Sequence, residues 1–225
     1  MGEGRGEVPG TFPPLPRYVG LERRNTSEPM SEPMVLEQPS DAELMARVRE
    51  GDRDSFADLV DRHKDAVVSY LTRLTGNRDR AEDLAQETFL RLFRAARDYT
   101  EQGYLRAYLY RIATNLVRSE ERREKRLRLL LPFLPRNGHQ AESATPGLLR
   151  QELHREVSAA VAALPLDYRV PLVLHEIEGW SYVDIAQELG CREGTIKSRI
   201  FRGRQRLKEK LEPYWRGGTT WKTTG

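Results

Sequence analysis

Lys197, Ser198, Phe201 and Arg202 stand at spacings of one, three and four, on the side of a helical stretch opposite Ile196 and Ile200. Lysine and arginine can donate to the guanine edge, serine serves either base, and a ring can press on a thymine methyl. Phe201 is an aromatic on the basic side of this stretch, where core packing gives it no reason to be. Arg199, Arg204, Arg206 and Lys208 follow on the same stretch and suit neutralisation of phosphates.

Two further clusters carry usable chemistry. Arg111, Asn115, Arg118 and Arg122 step by four, three and four residues along one helical face, with Tyr104, Tyr108 and Tyr110 close by. Such a ladder suits a nucleic-acid backbone, and neighbouring rings suit base stacking. A purely structural reading puts the tyrosines in the core and the arginines in water. Asp83, Gln86, Glu87 and Leu90 gather on the side of another helix away from its apolar stripe, as a docking surface or an ordinary solvated face.

The elements that must position these groups are helices. Ser40 followed by Glu43 has the form of a capping box ahead of Leu44 and Val48. Ala81, Leu84, Ala85, Phe89, Leu92, Phe93 and Ala96 form one apolar stripe, and Leu105, Leu109, Ile112 and Leu116 another. Gly76-Asn77 and Gln102-Gly103 mark breaks between helices. Near the C-terminus, Ser181 caps a short helix whose inner face is Ile185, Ala186 and Leu189, and Gly190 closes it. Cys191 to Gly194 make a turn, and a longer helix runs from about Thr195 to Leu211, with Ile196, Ile200, Leu207 and Leu211 inward. Two helices joined so tightly, the second strongly basic, predict a helix-turn-helix.

Composition agrees with small helical units. Of 225 residues, 38% are hydrophobic and 32% charged, which is lean for one large core. The net charge of +3 is uninformative until it is divided: −2 over residues 1–40, −1 over 41–122, +4 over 123–150 and +2 over 151–225. Residues 1–40 hold seven of the thirteen prolines and read as disordered. The basic stretch 124–150, broken by Pro132, Pro135, Asn137-Gly138 and Pro146-Gly147, reads as a flexible linker. The resulting division is an extension (1–40), a helical domain (41–123), the linker (124–150), a second helical domain (151–212) and a tail (213–225). The fold class is therefore all-α, with two small helical domains.

Enzyme chemistry finds no foothold. His175-Glu176 would need a histidine at 179 to form a zinc helix, and Gly179 is there instead. Gly179-Trp180-Ser181 lacks the closing glycine of a nucleophile elbow. The one cysteine, Cys191, excludes a Cys-rich zinc module, and the four histidines are scattered. A non-enzyme with no cofactor and no metal is expected. No stretch reaches the roughly 20 apolar residues of a membrane span. The first thirty residues carry no apolar core flanked by positive charge, so a cytoplasmic location without membrane insertion is expected.

These residues resemble a family. Ala81-Glu82-Asp83-Leu84-Ala85-Gln86-Glu87-Thr88-Phe89 looks like the polymerase-binding helix of bacterial extracytoplasmic-function (ECF) sigma factors of the sigma-70 family. Tyr108-Leu109-Tyr110-Arg111-Ile112-Ala113-Thr114-Asn115 is similar to their promoter-melting helix. Leu164-Pro165 with Arg169, Tyr182 to Ala186, and Gly194-Thr195-Ile196-Lys197-Ser198-Arg199 resemble their −35-reading domain. The resemblance implies that Asp83, Gln86, Glu87 and Leu90 dock on the clamp of core RNA polymerase. It implies that the loop from Asp98 to Leu105 pockets a flipped base of the −10 element, with Tyr104, Tyr108, Arg111, Asn115, Arg118 and Arg122 on the strand being separated. It further implies that Thr195, Lys197, Ser198, Arg199, Phe201, Arg202 and Arg206 meet the −35 element, and that an anti-sigma factor is a partner. Three departures stand out: Tyr108 where the family has Trp, Pro171 within a helical stretch, and Gly203 in place of a common Ala. The last costs about 1 kcal/mol in an exposed helix interior. A helix-turn-helix regulator with an unrelated helical sensor domain is the alternative reading.

Overall fold

The structure, a computed structural model, describes residues 38–99, 104–130 and 149–216. Among them the chain forms eight α-helices and no strand: α1 (Asp41–Arg49), α2 (Arg53–Thr75), α3 (Arg78–Ala95), α4 (Leu105–Leu130), α5 (Leu149–Ala162), α6 (Leu166–Glu176), α7 (Tyr182–Glu188) and α8 (Glu193–Arg216). The extension through residue 37, the Gln102-Gly103 break, the linker from 131 to 148 and the tail beyond 216 lie outside the described residues.

Local chemistry sets the helix ends. The Ser40 amide donates to the Glu43 carboxylate at 2.7 Å and the Glu43 amide returns a bond to Ser40 Oγ at 3.3 Å, closing the expected capping box. Gly76 ends α2 at φ +70°, a left-handed conformation that suits glycine. Asn77 then caps α3 through the Arg80 amide at 2.9 Å. Asp41, at the start of α1, ties that helix to α2 by bonding Arg62 at 2.7 Å and His63 at 2.8 Å. Partial burial pushes the Asp41 carboxyl up, but the bonds from His63 and Arg62 outweigh it, and the group titrates below the ordinary carboxylate range. A carboxyl lowered on folding stabilises the fold above its unfolded titration point and loses that contribution as pH falls through its folded one.

The first four helices bury Leu44, Leu59, Tyr70, Leu71, Leu92 and Leu109 around one centre, and α6 to α8 bury Val170, Leu174, Ile185, Ile196 and Ile200 around another. The two centres are continuous rather than separated by a tether, because α5 and α6 pack on α2. The Arg169 guanidinium, buried in α6, donates to the carbonyls of Leu164 and of Leu74 at the end of α2. Those bonds satisfy a charged group that would otherwise be costly to bury.

Among these expectations two change and one, the place of Pro171 within a helix, holds. α4 continues through residues 124–130, into the segment read as linker, held at its end by Arg80 of α3 bonding Glu120 and Glu124. Pro171 sits inside α6, on its buried side. Gly203 is buried against α6 instead of exposed, and a methyl group there would meet Tyr168 and Leu172 at 3.5–3.7 Å, ordinary contact distances. Gly203→Ala should therefore stabilise the protein by about 0.5–1 kcal/mol through helix propensity. Thermal unfolding checks this as a midpoint higher by a few degrees.

Candidate nucleic-acid interface

The helix-turn-helix is built from short-range contacts. Ser181 Oγ accepts from the Asp184 amide at 3.1 Å to start α7. Gly190, at φ +62°, and the Cys191 amide bonding back to Ala186 O at 2.9 Å stop it. α8 then begins at Glu193, two positions before the expected start, and anchors itself with fully buried Ile196 and Ile200. That anchor fixes which residues face out.

Lys197, Ser198, Phe201 and Arg202 all lie exposed on the outer side of α8, and Phe201 is 61% exposed. An apolar ring held this far into water costs free energy unless something covers it. Lys197 pairs with Glu193 at 2.7 Å, and Ser198 Oγ donates to Thr195 O at 2.9 Å. Thr195 and Arg199 are half-buried at the flank. Arg206 is exposed and lies over the Tyr168 ring at 4.8 Å, while Arg204 pairs with Glu176. The face can offer donors and one apolar contact to base edges, with cations at its margin for phosphates.

On α3, Asp83 and Gln86 are exposed and Leu90 is 48% exposed. Glu87 bonds Arg91 at 2.8 Å, which holds its carboxyl below the ordinary range, and lies 3.9 Å from Arg94. Phe93, expected in the apolar stripe, is 44% exposed and meets Phe56 edge-on at 4.9 Å. It extends the Asp83–Leu90 row by one further helical step, so the surface is acidic at one end and apolar at the other. Its position beside Leu92 in sequence concealed this.

The α4 ladder departs most from expectation. Tyr108 is buried against Tyr99 at 4.7 Å, and burial pushes its hydroxyl up. Tyr110 is buried, stacked on Tyr70 at 4.3 Å, and Tyr70 bonds Thr114 at 2.7 Å. Neither ring offers a face to a base here, because both complete the core of the first domain. Tyr104 is half-buried against the same core. Arg111, Asn115 and Arg118 are half-buried and only Arg122 of the four is exposed. Arg111 forks onto Glu188 of α7 with three bonds of 2.9–3.1 Å.

Two of the four histidines, His63 and His175, do packing work. His63 is buried on Asp41, and His175 bonds Trp180 O at 2.8 Å and stacks on Tyr182. Among the described residues no cluster of His, Cys, Asp or Glu could hold a metal ion, and no helix is long and apolar enough to cross a membrane.

Comparison with known proteins covers both domains. The family model described as sigma-70 region 2 matches residues 59–127, and that described as sigma-70 region 4 matches residues 154–207. The ECF RNA polymerase sigma factor SigE of Mycolicibacterium smegmatis is 40% identical over 161 residues, spanning 70% of this chain and 62% of that protein. The ECF RNA polymerase sigma-E factor of Haemophilus influenzae is 33% identical over 188 residues, spanning 80% of this chain and 99% of that protein. Among solved structures, the sigma factor RpoE of Bartonella quintana, held by the anti-sigma factor NepR, aligns with a TM-score of 0.59 at 29% identity. That alignment covers 70% of this chain and 96% of RpoE. CnrH, bound to the cytosolic domain of CnrY, aligns with a TM-score of 0.55 at 27% identity, covering 76% and 97%.

Proposed function

The chain belongs to the ECF sigma factors of the sigma-70 family, and from that membership we propose a division of labour among its surfaces. It is an initiation factor: it joins core RNA polymerase, directs it to a promoter and leaves the chemistry of RNA synthesis to the polymerase. The observation that carries this is the pairing, in one chain, of a region 2 domain bearing an exposed acidic-apolar row with a region 4 domain bearing an exposed basic recognition face.

Asp83, Gln86, Glu87 and Leu90 dock on the polymerase clamp, with Phe93 enlarging the apolar end. Lys197, Ser198, Phe201 and Arg202 enter the −35 major groove, with Thr195, Arg199 and Arg206 at its edges. Arg111, Asn115, Arg118 and Arg122 hold the −10 strand while Tyr104 borders the base pocket. Tyr108 supports that helix from within. Separating the strands costs unstacking energy, and base capture with backbone contacts offsets it. The protein acts in the cytoplasm, where polymerase and promoter meet, and an anti-sigma factor, like the one that holds RpoE, is its partner. The alternative, a regulator with an unrelated sensor, is not favoured, since the region 2 match occupies the place such a sensor would fill.

Mapping transcript starts after induced expression tests this reading. A shared pair of upstream elements ahead of the new starts is expected. New starts with no common −35 sequence would contradict it.

A further inference from the structure

Asp83, Glu87, Leu90 and Arg94 step by four, three and four residues, which sets them in one line down the outward side of α3. The acidic and apolar parts of that line have a place in docking; Arg94, just past them, has none. Its side chain is 69% exposed, and its guanidinium stops 3.9 Å from Glu87, beyond hydrogen-bond reach, while Arg91 holds Glu87 at 2.8 Å. A cation in the last turn of α3 suits the helix dipole. That accounts for the sign of the charge but not for its place in the line, since any position in that turn would serve the dipole equally. Leu90 and Phe93 adjoin Arg94 on the helix surface, and both stand half in water. A partner that removes these two side chains from water lies over Arg94 as well. Covered without an acceptor, the guanidinium loses its hydration and gains nothing in return. Met by a carboxylate, it forms the bidentate pair that makes arginine a frequent anchor of interfaces.

We propose that Arg94 is a docking residue that binds a carboxylate of core polymerase, so that the docking line carries acid at one end and base at the other. The proposal rests on the reading of α3 as the polymerase-docking helix. From Asp83 to Arg94 the line runs about 16 Å along the helix axis. Over that length the polymerase presents a cation to Asp83 and Glu87, an apolar hollow to Leu90 and Phe93, and a carboxylate to Arg94. This order fixes the direction in which α3 lies on its partner. Turned end for end, acid would meet acid and base would meet base.

The test is a binding titration of the full chain against purified core polymerase. Arg94→Gln keeps most of the side chain's length and removes its charge, and it should weaken binding about tenfold. Arg78→Gln removes the same charge from another side of α3, where Arg78 pairs with Glu82, and should change affinity by no more than about twofold. A double-mutant cycle then separates a contact of Arg94 itself from an effect passed through Glu87. With its own acceptor on the polymerase, Arg94→Gln costs the same factor in a Glu87→Gln background. A loss seen only in chains that keep Glu87 would overturn the proposal, as would Arg94→Gln binding as well as the unaltered chain or better. Circular dichroism checks that each variant keeps its helices. Normal binding by Arg94→Gln, with Asp83→Lys and Glu87→Lys together still abolishing capture, removes Arg94 alone from the surface. Normal binding by that double reversal removes α3 itself, and Arg94 with it.

Discussion

Asp83→Lys with Glu87→Lys abolishes capture of core polymerase, lowering affinity by at least about a hundredfold while the chain stays folded. Both positions lie on the outward side of α3, and neither contributes to the core. A charge placed against a complementary surface costs roughly 2–5 kcal/mol when its partner is left buried and unpaired, and reversing the sign adds repulsion. Within the protein the change is small, because the Glu87–Arg91 pair is a surface pair one helical turn apart. Pull-down with purified core polymerase, alongside circular dichroism, separates the two effects. A folded variant that binds normally would remove α3 from the docking surface.

Arg202→Ala weakens discrimination among −35 sequences by about 1–3 kcal/mol, roughly five- to 150-fold. Arg202 is exposed on α8 beside Phe201, and the anchoring Ile196 and Ile200 are untouched by its loss. Lys208→Ala, at the margin of the same helix, weakens binding to all sequences alike and flattens the salt dependence. Competition binding across single-base −35 variants reads the difference. Equal loss on every variant in Arg202→Ala would assign that residue to the phosphates.

Much of this was legible in the residues because it depends on short-range periodicity. The row Asp83, Gln86, Leu90 lies opposite the Leu84, Ala85, Phe89 stripe on any helix drawn through it, and Phe201 lies opposite Ile196 and Ile200 in the same way. The turn between α7 and α8 was legible because Ser181 and Gly190 announce the ends of α7. What escaped depends on contacts remote in sequence. Arg111 meets a residue 77 positions away, so no local spacing could show that it is covered. Tyr108 falls beside the arginine face and Tyr110 points to another side of the helix, and only the packing of Tyr99 on the one and Tyr70 on the other shows that both are core. Phe93 falls at the margin of the apolar stripe, where burial depends on how far the neighbouring α2 extends over it. The overrun of α4 came from the opposite error. The charged residues from Glu124 on read as linker, whereas, as good helix formers with Glu120 and Glu124 bonded to Arg80, they prolong the helix.

Run-off transcription with purified core polymerase tests the central claim most directly. On a template carrying the mapped upstream elements, core polymerase with this chain should give a discrete transcript from the mapped start, and core polymerase alone should give none. Sequence-specific binding of the promoter without any transcript from core polymerase would contradict the account and restore the regulator in its place.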